Sequence, residues 1–304
     1  MLASGCGGYG PELKEFYEPS ILGGIVVKSL SLKARLGNAT PRTVETASGM
    51  LNAIGIQSGG IHDFIETKLP ALTGARTVVI ASIFEETIGG YAELAKVLDH
   101  VERVNGIEVN LSCPNVEKGG IVFGTDPSQA ALVIEAVRRA TTKPVWAKLS
   151  PNVTSVVDIA KAVESAGADA VTAINTLQGM AVDWRARKPV LANRTGGLSG
   201  PAIKPVALRI VDELKRSDLG IPIVGAGGIS SAEDICEFLA TGASAVQLGT
   251  INYLDPKAAP RLITDLNRLL AKENIPSARS LVGAISGGSM KQMSRDLAEF
   301  FKSF

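Results

Sequence analysis

Three consecutive segments decide the fold: PVWAKL at residues 144–149, SVVDIAKAVESA at 155–166 and DAVTAI at 169–174. The two outer segments are apolar nearly throughout, as expected of strands that are buried on both faces of a parallel sheet. The middle segment carries apolar residues at helical spacing, and Gly167 follows it directly before the next strand. The stretch therefore predicts a strand–helix–strand unit with parallel strands.

The same unit repeats along the chain. We predict strands at residues 21–27, 77–81, 106–111, 144–149, 169–174, 221–224 and 244–248, with residues 1–3 as an eighth strand. Helices are predicted at 91–101, 127–139, 155–166, 201–215, 232–240 and 257–272. Eight alternating units that close on themselves are typical of an α/β protein with a (β/α)₈ TIM barrel. An open doubly wound sheet is the alternative, and the absence of a Gly-x-Gly-x-x-Gly turn after any strand disfavours it.

Composition and charge exclude several classes of protein. The chain has 304 residues, of which 45% are hydrophobic and 20% charged, and no linker interrupts it, so we expect one domain over residues 1–304. A net charge of +1 provides no general attraction to nucleic acid or anionic lipid. No apolar run approaches the ~18–20 residues of a membrane span, and no signal peptide is recognisable. Three scattered cysteines favour neither disulfides nor a metal site, and we expect a cytoplasmic protein.

Long polar segments follow several predicted strands, at about residues 29–60, 112–125 and 176–200. Long loops in a compact domain are usually binding loops or lids. In a (β/α)₈ barrel the chemistry lies in the loops that follow the carboxyl ends of the strands. These segments therefore indicate the end of the barrel that carries the active site.

Glycine-rich turns follow the last two predicted strands, as Gly225-Ala-Gly-Gly-Ile229 and Gly249-Thr250. Barrels build phosphate sites from backbone N–H groups at this place, and a missing side chain lets the backbone approach the phosphate closely. The alternative is that the glycines only allow tight turns. Because two adjacent loops agree, we predict a phosphate site.

Cys113 begins the loop after the strand at 106–111, among polar neighbours. A thiol with a modestly depressed pKa is a workable base or nucleophile at neutral pH. A half-buried structural cysteine is the alternative, and spacing alone does not separate the two.

Lysines and asparagines also stand at strand ends. Lys28 and Lys148 end otherwise apolar strands, where each would face the barrel mouth and pair with an anion, or else extend to solvent. Carboxamides both donate and accept, which suits a ligand with alternating carbonyl and N–H groups, although asparagine also favours turns. The asparagines at or beyond strand ends are Asn52, Asn110, Asn115 and Asn175.

Several of these motifs resemble one enzyme family. Asn110-Leu-Ser-Cys113-Pro-Asn115, with Gly119-Gly120 and Phe123-Gly-Thr-Asp126-Pro127 after it, resembles the catalytic loop of family 1 dihydroorotate dehydrogenases. Ala3-Ser4-Gly5, Lys148-Leu-Ser-Pro-Asn152, Ile174-Asn175-Thr176 and the stretch Gly196–Pro205 agree with it. Met50-Leu-Asn-Ala-Ile-Gly55 and Phe123-Gly-Thr-Asp-Pro127 are similar to the NAD-linked class 1B branch. The resemblance extends from Ala3 to about Asp255.

The resemblance implies oxidation of dihydroorotate to orotate on bound FMN. Cys113 would remove a proton from carbon 5 while carbon 6 delivers hydride to the flavin. The implied substrate residues are Lys28, Asn52, Ala53, Ile54, Gly55, Ile56, Asn110, Asn115, Asn175 and Thr176. The implied FMN residues are Ser4, Lys28, Ser29, Ser82, Asn110, Lys148, Ile174, Gly200, Gly227, Gly228, Gly249 and Thr250. No metal is expected.

The resemblance also implies a partner. Class 1B enzymes pass electrons to NAD through a subunit that carries FAD and an iron–sulfur cluster, and this chain lacks a cysteine cluster and a dinucleotide motif for those centres. We expect a homodimer within a heterotetramer. Two departures from the family stand out: Ser82 occupies a position where an asparagine often contacts flavin, and the segment that closes the barrel floor ahead of the first strand is expected to be absent.

Other functions remain open. A dihydropyrimidine dehydrogenase subunit and the fumarate-linked class 1A enzyme share the barrel and the cysteine loop. A flavin-free barrel acting on sugar phosphates would need acidic residues or a Schiff-base lysine at strand ends, which carry mainly lysine and asparagine here. A non-catalytic scaffold subunit is the last alternative.

Overall fold

Short strands and helices alternate along the chain. The computed structural model describes residues 1–112, 114–115 and 121–286. Within these ranges the strands are β1 (Gly24–Val26), β2 (Thr43–Thr46), β3 (Gly49–Asn52), β4 (Val78–Ile83), β5 (Gly106–Asn110), β6 (Pro114–Asn115), β7 (Ile121–Val122), β8 (Val145–Lys148), β9 (Ala170–Ala173), β10 (Leu177–Met180), β11 (Val182–Asp183), β12 (Lys188–Pro189), β13 (Thr195–Ser199), β14 (Ile223–Ala226) and β15 (Ala245–Gln247). The α-helices are α1 (Ile61–Asp63), α2 (Ile88–Asp99), α3 (Pro127–Ala140), α4 (Val156–Ser165), α5 (Lys204–Arg216), α6 (Ala232–Thr241), α7 (Ile251–Leu254) and α8 (Ala258–Lys272).

The central sheet contains seven strands in the order β1-β4-β5-β8-β9-β14-β15. Each pair of neighbours is parallel. Helices α2 to α6 contact one another in succession, and α8 packs on α6. No helix in the described part of the chain has the length and apolar character needed to cross a bilayer.

Leu2 closes the sheet into a cylinder. It forms parallel bridges to Ile25 on one side and to Leu248 on the other. The Leu2 N–H donates to the Gly24 carbonyl over 3.1 Å, and the Val26 N–H donates to the Leu2 carbonyl over 3.0 Å. On the other side the N–H of Ala3 donates to the Leu248 carbonyl over 2.9 Å. The predicted eighth strand is therefore present as a very short one, and the (β/α)₈ barrel is confirmed.

Polar caps start the helices where the sequence indicates. Asp126 and Ser155 cap α3 and α4 by accepting from the N–H groups of Gln129 and Asp158. Ser231 and Asp234 form a reciprocal capping box at α6.

Several predicted boundaries are wrong. The helix predicted at 91–101 spans Ile88–Asp99, because Thr87 caps it by accepting from the Gly90 N–H. Two other differences involve a proline. The strand predicted at 21–27 begins at Gly24, because Pro19–Ile21 form a 3₁₀ turn ahead of it. The helix predicted from residue 201 begins as the 3₁₀ turn Pro201–Ile203. A proline opens each turn, and its fixed φ suits the first turn of a helix rather than a paired strand.

The two faces of the barrel sheet carry different layers. The outer face and the helices share one large apolar cluster, which includes Ile25, Val79 and Val171. The inner face carries a separate apolar cluster of Val26, Ile80, Trp146, Ala170 and Val224. We call these five residues the inner floor cluster. Because side chains alternate between faces along a strand, the next inward positions, nearer the carboxyl ends, carry Lys28, Ser82, Lys148 and Thr172.

A second sheet forms at the carboxyl ends of the barrel strands. Its four strands run antiparallel in the order β10-β13-β3-β2. The expectation that residues 29–60 and 176–200 are long loops is wrong, because each segment contains a pair of these strands. Their contacts join two segments that lie far apart in sequence, so local patterning did not reveal them.

Leu2→Ala is expected to lower the free energy of unfolding by about 3 kcal/mol, because the side chain is fully buried and its loss leaves a cavity beside the closing bridge. Urea unfolding measures this. Leu36→Ala is the matched control, since Leu36 is 92% exposed and its truncation should change stability by less than about 0.5 kcal/mol. Equal effects of the two substitutions would contradict the role given to Leu2.

Candidate active site

The carboxyl ends of the barrel strands form a single open end, which we call the mouth. Parallel strands place all of these ends on one side of the barrel. The residues predicted for the site lie at or just after the ends of these strands, or on and beside the second sheet. Those among the described residues are Ser4, Lys28, Ser29, Asn52, Ala53, Ile54, Gly55, Ile56, Ser82, Asn110, Lys148, Ile174, Asn175, Thr176, Gly200, Gly227, Gly228, Gly249 and Thr250.

Three serines form a chain of hydroxyl groups at one side of the mouth. Ser4 Oγ donates to the Val27 carbonyl over 3.1 Å and lies 3.3 Å from Ser29 Oγ. Ser29 Oγ lies 2.8 Å from Ser82 Oγ, and both of these side chains are buried. Ser82 is thus tied to Ser29 directly and to Ser4 through Ser29, and all three are residues predicted for the site.

Asn110 and Asn175 lie side by side. Asn175 Nδ2 donates to Asn110 Oδ1 over 3.3 Å and to Ser112 Oγ over 2.9 Å. Tyr91, a buried residue of α2, donates its hydroxyl proton to the Asn110 carbonyl over 2.7 Å. Among the described residues nothing accepts from Asn110 Nδ2, which leaves its N–H groups available to a ligand.

The second sheet holds Asn52 and Thr176. Asn52 Nδ2 donates to the Gly197 carbonyl over 3.4 Å. Sequence reasoning missed Asn152, whose Nδ2 donates to the Thr176 carbonyl over 3.0 Å and whose Oδ1 accepts from the Gln178 N–H over 2.9 Å. It therefore fixes the start of β10, and its position in Lys148-Leu-Ser-Pro-Asn152 was a signal that could have found it.

The residues after Asn52 form a compact turn against neighbouring backbone. The Ala53 N–H donates to the Arg42 carbonyl over 2.8 Å, and Asn38 bonds to the carbonyls of Ala53 and Ile54. Gly55 and Ile56 both have positive φ, at 73° and 51°. These hydrogen bonds fix the conformation of the turn. Ile56 is strained, because residues with a side chain rarely adopt a positive φ.

Lys28 is a cation without a carboxylate partner among the described residues. Burial lowers the pKa of its ammonium group, and the nearby Arg42 charge lowers it further, while Glu12 opposes both. A lysine held near another cation attracts an anion, so this corner of the mouth suits a carboxylate ligand.

Lys148 lies deeper and is buried. Its Nζ is 3.5 Å from Glu108 Oε1 and 3.5 Å from Gln247 Oε1. Sequence reasoning missed Glu108 and Gln247. The signal was a carboxylate inside the otherwise apolar strand Gly106–Asn110.

Ile174 and Gly200 flank the loop that follows β14. The buried Ile174 donates its N–H to the Ala226 carbonyl over 2.8 Å. Gly200 and Gly228 approach each other closely, since a Cβ built at Gly228 would lie 2.9 Å from the Gly200 carbonyl oxygen. Gly228 also has φ +77°, so the fold itself requires glycine there.

Gly249 is different, because the fold does not require its missing side chain. A Cβ built there would meet only the Cys6 sulfur, at 3.8 Å, and its φ is not in the left-handed region. Among the hydrogen bonds of the described residues, none uses the N–H of Gly228, Gly249 or Thr250. Unpaired N–H groups around an open glycine form a cradle suited to an anion such as phosphate.

Asn252 and Asp234 hold the two loops of this cradle. Asn252 is buried, and its Nδ2 donates to the carbonyls of Leu248 and Gly249 over 3.1 and 2.8 Å. Asp234 Oδ2 accepts from the N–H groups of Ser230 and Ser231 over 2.7 and 2.9 Å. Both residues therefore fix loop backbone without facing a ligand themselves.

Asp234 also pairs with Lys204, whose Nζ lies 2.5 Å from Asp234 Oδ1. Burial alone would raise the pKa of Asp234, but hydrogen bonds from Lys204, Ser230 and Ser231 outweigh it and hold that pKa below its ordinary value. The ionised carboxylate is therefore the form that the loop stabilises.

Cys113, the predicted base, lies outside the described residues. The side chain of Asn115 is likewise outside them, although the backbone of Pro114–Asn115 pairs antiparallel with Ile121–Val122. Their roles stay predictions.

Asp234→Asn is expected to lower the free energy of unfolding by roughly 2 kcal/mol at pH 7. It breaks the ion pair with Lys204, and it replaces one of the two accepting carboxylate oxygens with an amide nitrogen that cannot accept. Since the folded-state pKa is depressed, this stabilisation is present above the unfolded value near ~3.9 and is lost as pH falls through the lower folded value. The difference between the variant and the unsubstituted protein should therefore shrink toward pH ~3. Urea unfolding at several pH values measures it.

Glu233→Gln is the control, since Glu233 neighbours Asp234 on the same helical turn and is exposed. A stability difference for Asp234→Asn that is independent of pH, or matched by the control, would contradict the assignment.

Comparison with known proteins identifies the family. The model of the family described as dihydroorotate dehydrogenase matches residues 1–270. The chain is 53% identical over 285 residues to the "Dihydroorotate dehydrogenase B (NAD(+)), catalytic subunit" of Geotalea daltonii, covering 94% of this chain and 93% of that protein. It is also 53% identical over 287 residues to the protein of the same name from Trichlorobacter lovleyi, covering 94% of each.

A solved structure shares the fold at lower sequence identity. The crystal structure of the dihydroorotate dehydrogenase of Eimeria tenella, in complex with ferulenol, aligns with a TM-score of 0.74 at 21% identity. The alignment covers 94% of this chain and 85% of that one. With the family model and the close relatives, it leads to one conclusion: the chain belongs to the dihydroorotate dehydrogenase family.

Proposed function

We propose that this protein oxidises (S)-dihydroorotate to orotate in de novo pyrimidine biosynthesis, using FMN and passing the electrons to NAD through a partner subunit. The observation that carries the proposal is the combination at one barrel mouth of an open N–H cradle at Gly249, a buried ammonium at Lys148 and a carboxamide pair at Asn110 and Asn175. Relatives at 53% identity are named as NAD-linked dihydroorotate dehydrogenases.

The residues present fit FMN. The N–H groups of Gly228, Gly249 and Thr250, which have no acceptor among the described residues, would hold its phosphate, with Gly227 and Gly200 beside them. Lys148 would face the pyrimidine part of the flavin, where a fixed cation in a water-poor site stabilises negative charge as it develops. The serine chain that starts at Ser4 supplies hydroxyl groups for further contacts. Bound FMN supplies a hydride acceptor, which no side chain of the protein can provide.

The substrate would lie between the flavin site and the second sheet. Lys28 would attract its carboxylate, and Asn110 Nδ2, which donates to no described residue, would bind a carbonyl oxygen of its ring. Asn52, Asn115, Asn175 and Thr176 complete the set, with residues 53–56 as the turn above it. Cys113 would take the proton from carbon 5, so that the thiolate acts as general base.

A partner subunit would complete the electron path. The relatives carry the words "catalytic subunit" in their names, which implies a second subunit in those enzymes. The whole chain contains three cysteines, fewer than the four that an iron–sulfur cluster commonly takes from a protein. We therefore assign FAD and the iron–sulfur cluster to the partner, and propose a homodimer of this chain within a heterotetramer.

Gly249→Ala is expected to weaken FMN binding by about 10-fold or more, since the added methyl group fills the cradle, while apoprotein stability changes by less than about 1 kcal/mol. Fluorescence titration of apoprotein with FMN gives the affinity. Gly23→Ala is the matched control: it also lies in open space with an ordinary φ, but it precedes β1 at the opposite end of the barrel. Unchanged FMN affinity in Gly249→Ala would count against the cradle.

Cys113→Ala is expected to retain FMN and to slow flavin reduction by dihydroorotate by roughly 10²-fold, the usual contribution of a general base. Anaerobic stopped-flow absorbance of the flavin measures the rate. Cys236→Ala, in α6, is the control and should reduce at the normal rate. Normal reduction by Cys113→Ala would remove the cysteine from the role of base.

The same anaerobic assay tests the reaction itself. Dihydroorotate is expected to bleach the flavin, and dihydrouracil, which lacks the carboxylate, is not. Bleaching by dihydrouracil alone would indicate a dihydropyrimidine dehydrogenase, and purified protein that neither contains nor binds flavin would contradict the proposed function altogether.

A further inference from the structure

A buried carboxylate lies inside the barrel, below the residues that would hold the flavin and the substrate. Glu108 stands in the middle of β5 and is completely buried. In the strand register it lies beside Trp146 of the inner floor cluster, below the level of Asn110 and Lys148. Barrel interiors at this depth are usually filled by branched apolar side chains. A buried carboxylate at this depth is therefore unusual.

Four strands contribute to the polar cluster around it. Glu108 Oε2 accepts from Gln247 Nε2 over 2.7 Å and from Thr172 Oγ1 over 2.9 Å. Gln247 Oε1 in turn lies 3.5 Å from Lys148 Nζ. All four side chains are buried, and those of Glu108, Thr172 and Gln247 are completely inaccessible to solvent. The orientation of Glu108 is therefore fixed by two neutral donors on β9 and β15.

The second oxygen of the carboxylate is directed differently. Glu108 Oε1 accepts no hydrogen bond among the described residues, and Lys148 Nζ lies 3.5 Å from it. Within the described ranges Glu108 is also the only carboxylate that pairs with Lys148. The neutral partners use Oε2 and leave the free oxygen to the ammonium.

Burial makes each of these two charges depend on the other. An isolated charge in a dry interior is strongly destabilised, and removing one member of a buried pair leaves the other uncompensated. The ammonium also sits at the end of four flexible methylene groups, which no packing alone would hold at one point. The carboxylate supplies both the counter-charge and the anchor.

We propose that Glu108 is a positioning residue for Lys148: held by Thr172 and Gln247, it fixes the Lys148 ammonium at the base of the mouth, where that charge faces the flavin. The inference rests on the proposed function, because it takes the mouth to be the FMN site. Its consequence is that Glu108 contributes to FMN affinity only through Lys148. Preorganised charges bind more tightly than mobile ones because less freedom is lost on binding.

A double-mutant cycle on FMN affinity tests this. The proteins are the unsubstituted chain, Glu108→Gln, Lys148→Met and the double variant, each prepared as apoprotein and titrated with FMN. Glu108→Gln should weaken FMN binding about 10-fold when Lys148 is present, and less than about 2-fold when residue 148 has been substituted. A merely structural role would give the same loss in both backgrounds.

Several results would overturn the proposal. The first is an unchanged FMN affinity in Glu108→Gln. The second is a higher FMN affinity in that variant, which would show that the carboxylate only offsets the positive charge of Lys148. The third is an equal loss of FMN affinity with and without Lys148. Unsubstituted apoprotein that does not bind FMN would instead overturn the proposed function, and this inference with it. If the unsubstituted apoprotein binds FMN normally and Glu108→Gln has the same effect with and without Lys148, only the positioning role would be overturned.

Thermal unfolding of the same apoproteins checks the ion pair without any flavin. Each single variant should unfold at a lower temperature than the double variant, because the double variant leaves no unpaired buried charge. If Glu108→Gln does not fold, Glu108→Asp replaces it in the cycle, since it keeps the charge but withdraws it from Lys148. Glu108→Asp is then expected to weaken FMN binding several-fold when Lys148 is present, and not to weaken it when Lys148 has been substituted.

Discussion

Closure of the barrel through the backbone of Leu2 is the constraint on which the rest of the structure depends. Hydrogen bonds on both sides of this one residue join β1 to the strand end at Leu248, so the first and last strands of the sheet lose their free edges. A closed cylinder has an interior that only the inward side chains can fill, and it brings all strand ends to one circle. Both properties are needed to assemble the candidate site.

The interior changes its chemistry along the barrel axis. The inner floor cluster is apolar and excludes water from below, and the polar side chains of Glu108, Thr172, Lys148 and Gln247 lie at or above that level. In such a dry setting a charge interacts more strongly with its neighbours than it would in water. The same burial that makes the Glu108–Lys148 pair sensitive to substitution would give the lysine its influence on a ligand at the mouth.

The loops at the mouth are held by residues that face away from it. Asn252 binds the carbonyl groups of Leu248 and Gly249, and Asp234 binds the N–H groups of Ser230 and Ser231. Within the described part of the chain, the N–H groups of Gly228, Gly249 and Thr250 donate to no acceptor. The second sheet has a similar effect, because Asn152 fixes the start of β10 next to Thr176. Asn252, Asp234 and Asn152 therefore fix the backbone of the mouth without being ligand-binding residues themselves.

The sequence by itself determined the strand–helix alternation and the positions of the glycines, lysines and asparagines at the carboxyl ends of the strands, because each is encoded in local periodicity or in a short motif. Only the tertiary structure decided the second sheet, the closing bridges of Leu2, and the partners of Lys148. Those depend on pairings between residues that are far apart in the sequence. Gln247 and Glu108 are 139 positions apart, Asn52 and Gly197 are 145 apart, and Leu2 pairs with Leu248. The local pattern of apolar and polar residues indicates whether a side chain lies on the inner or the outer face of the sheet. Its contacts on that face depend on which distant strands lie next to it in the barrel.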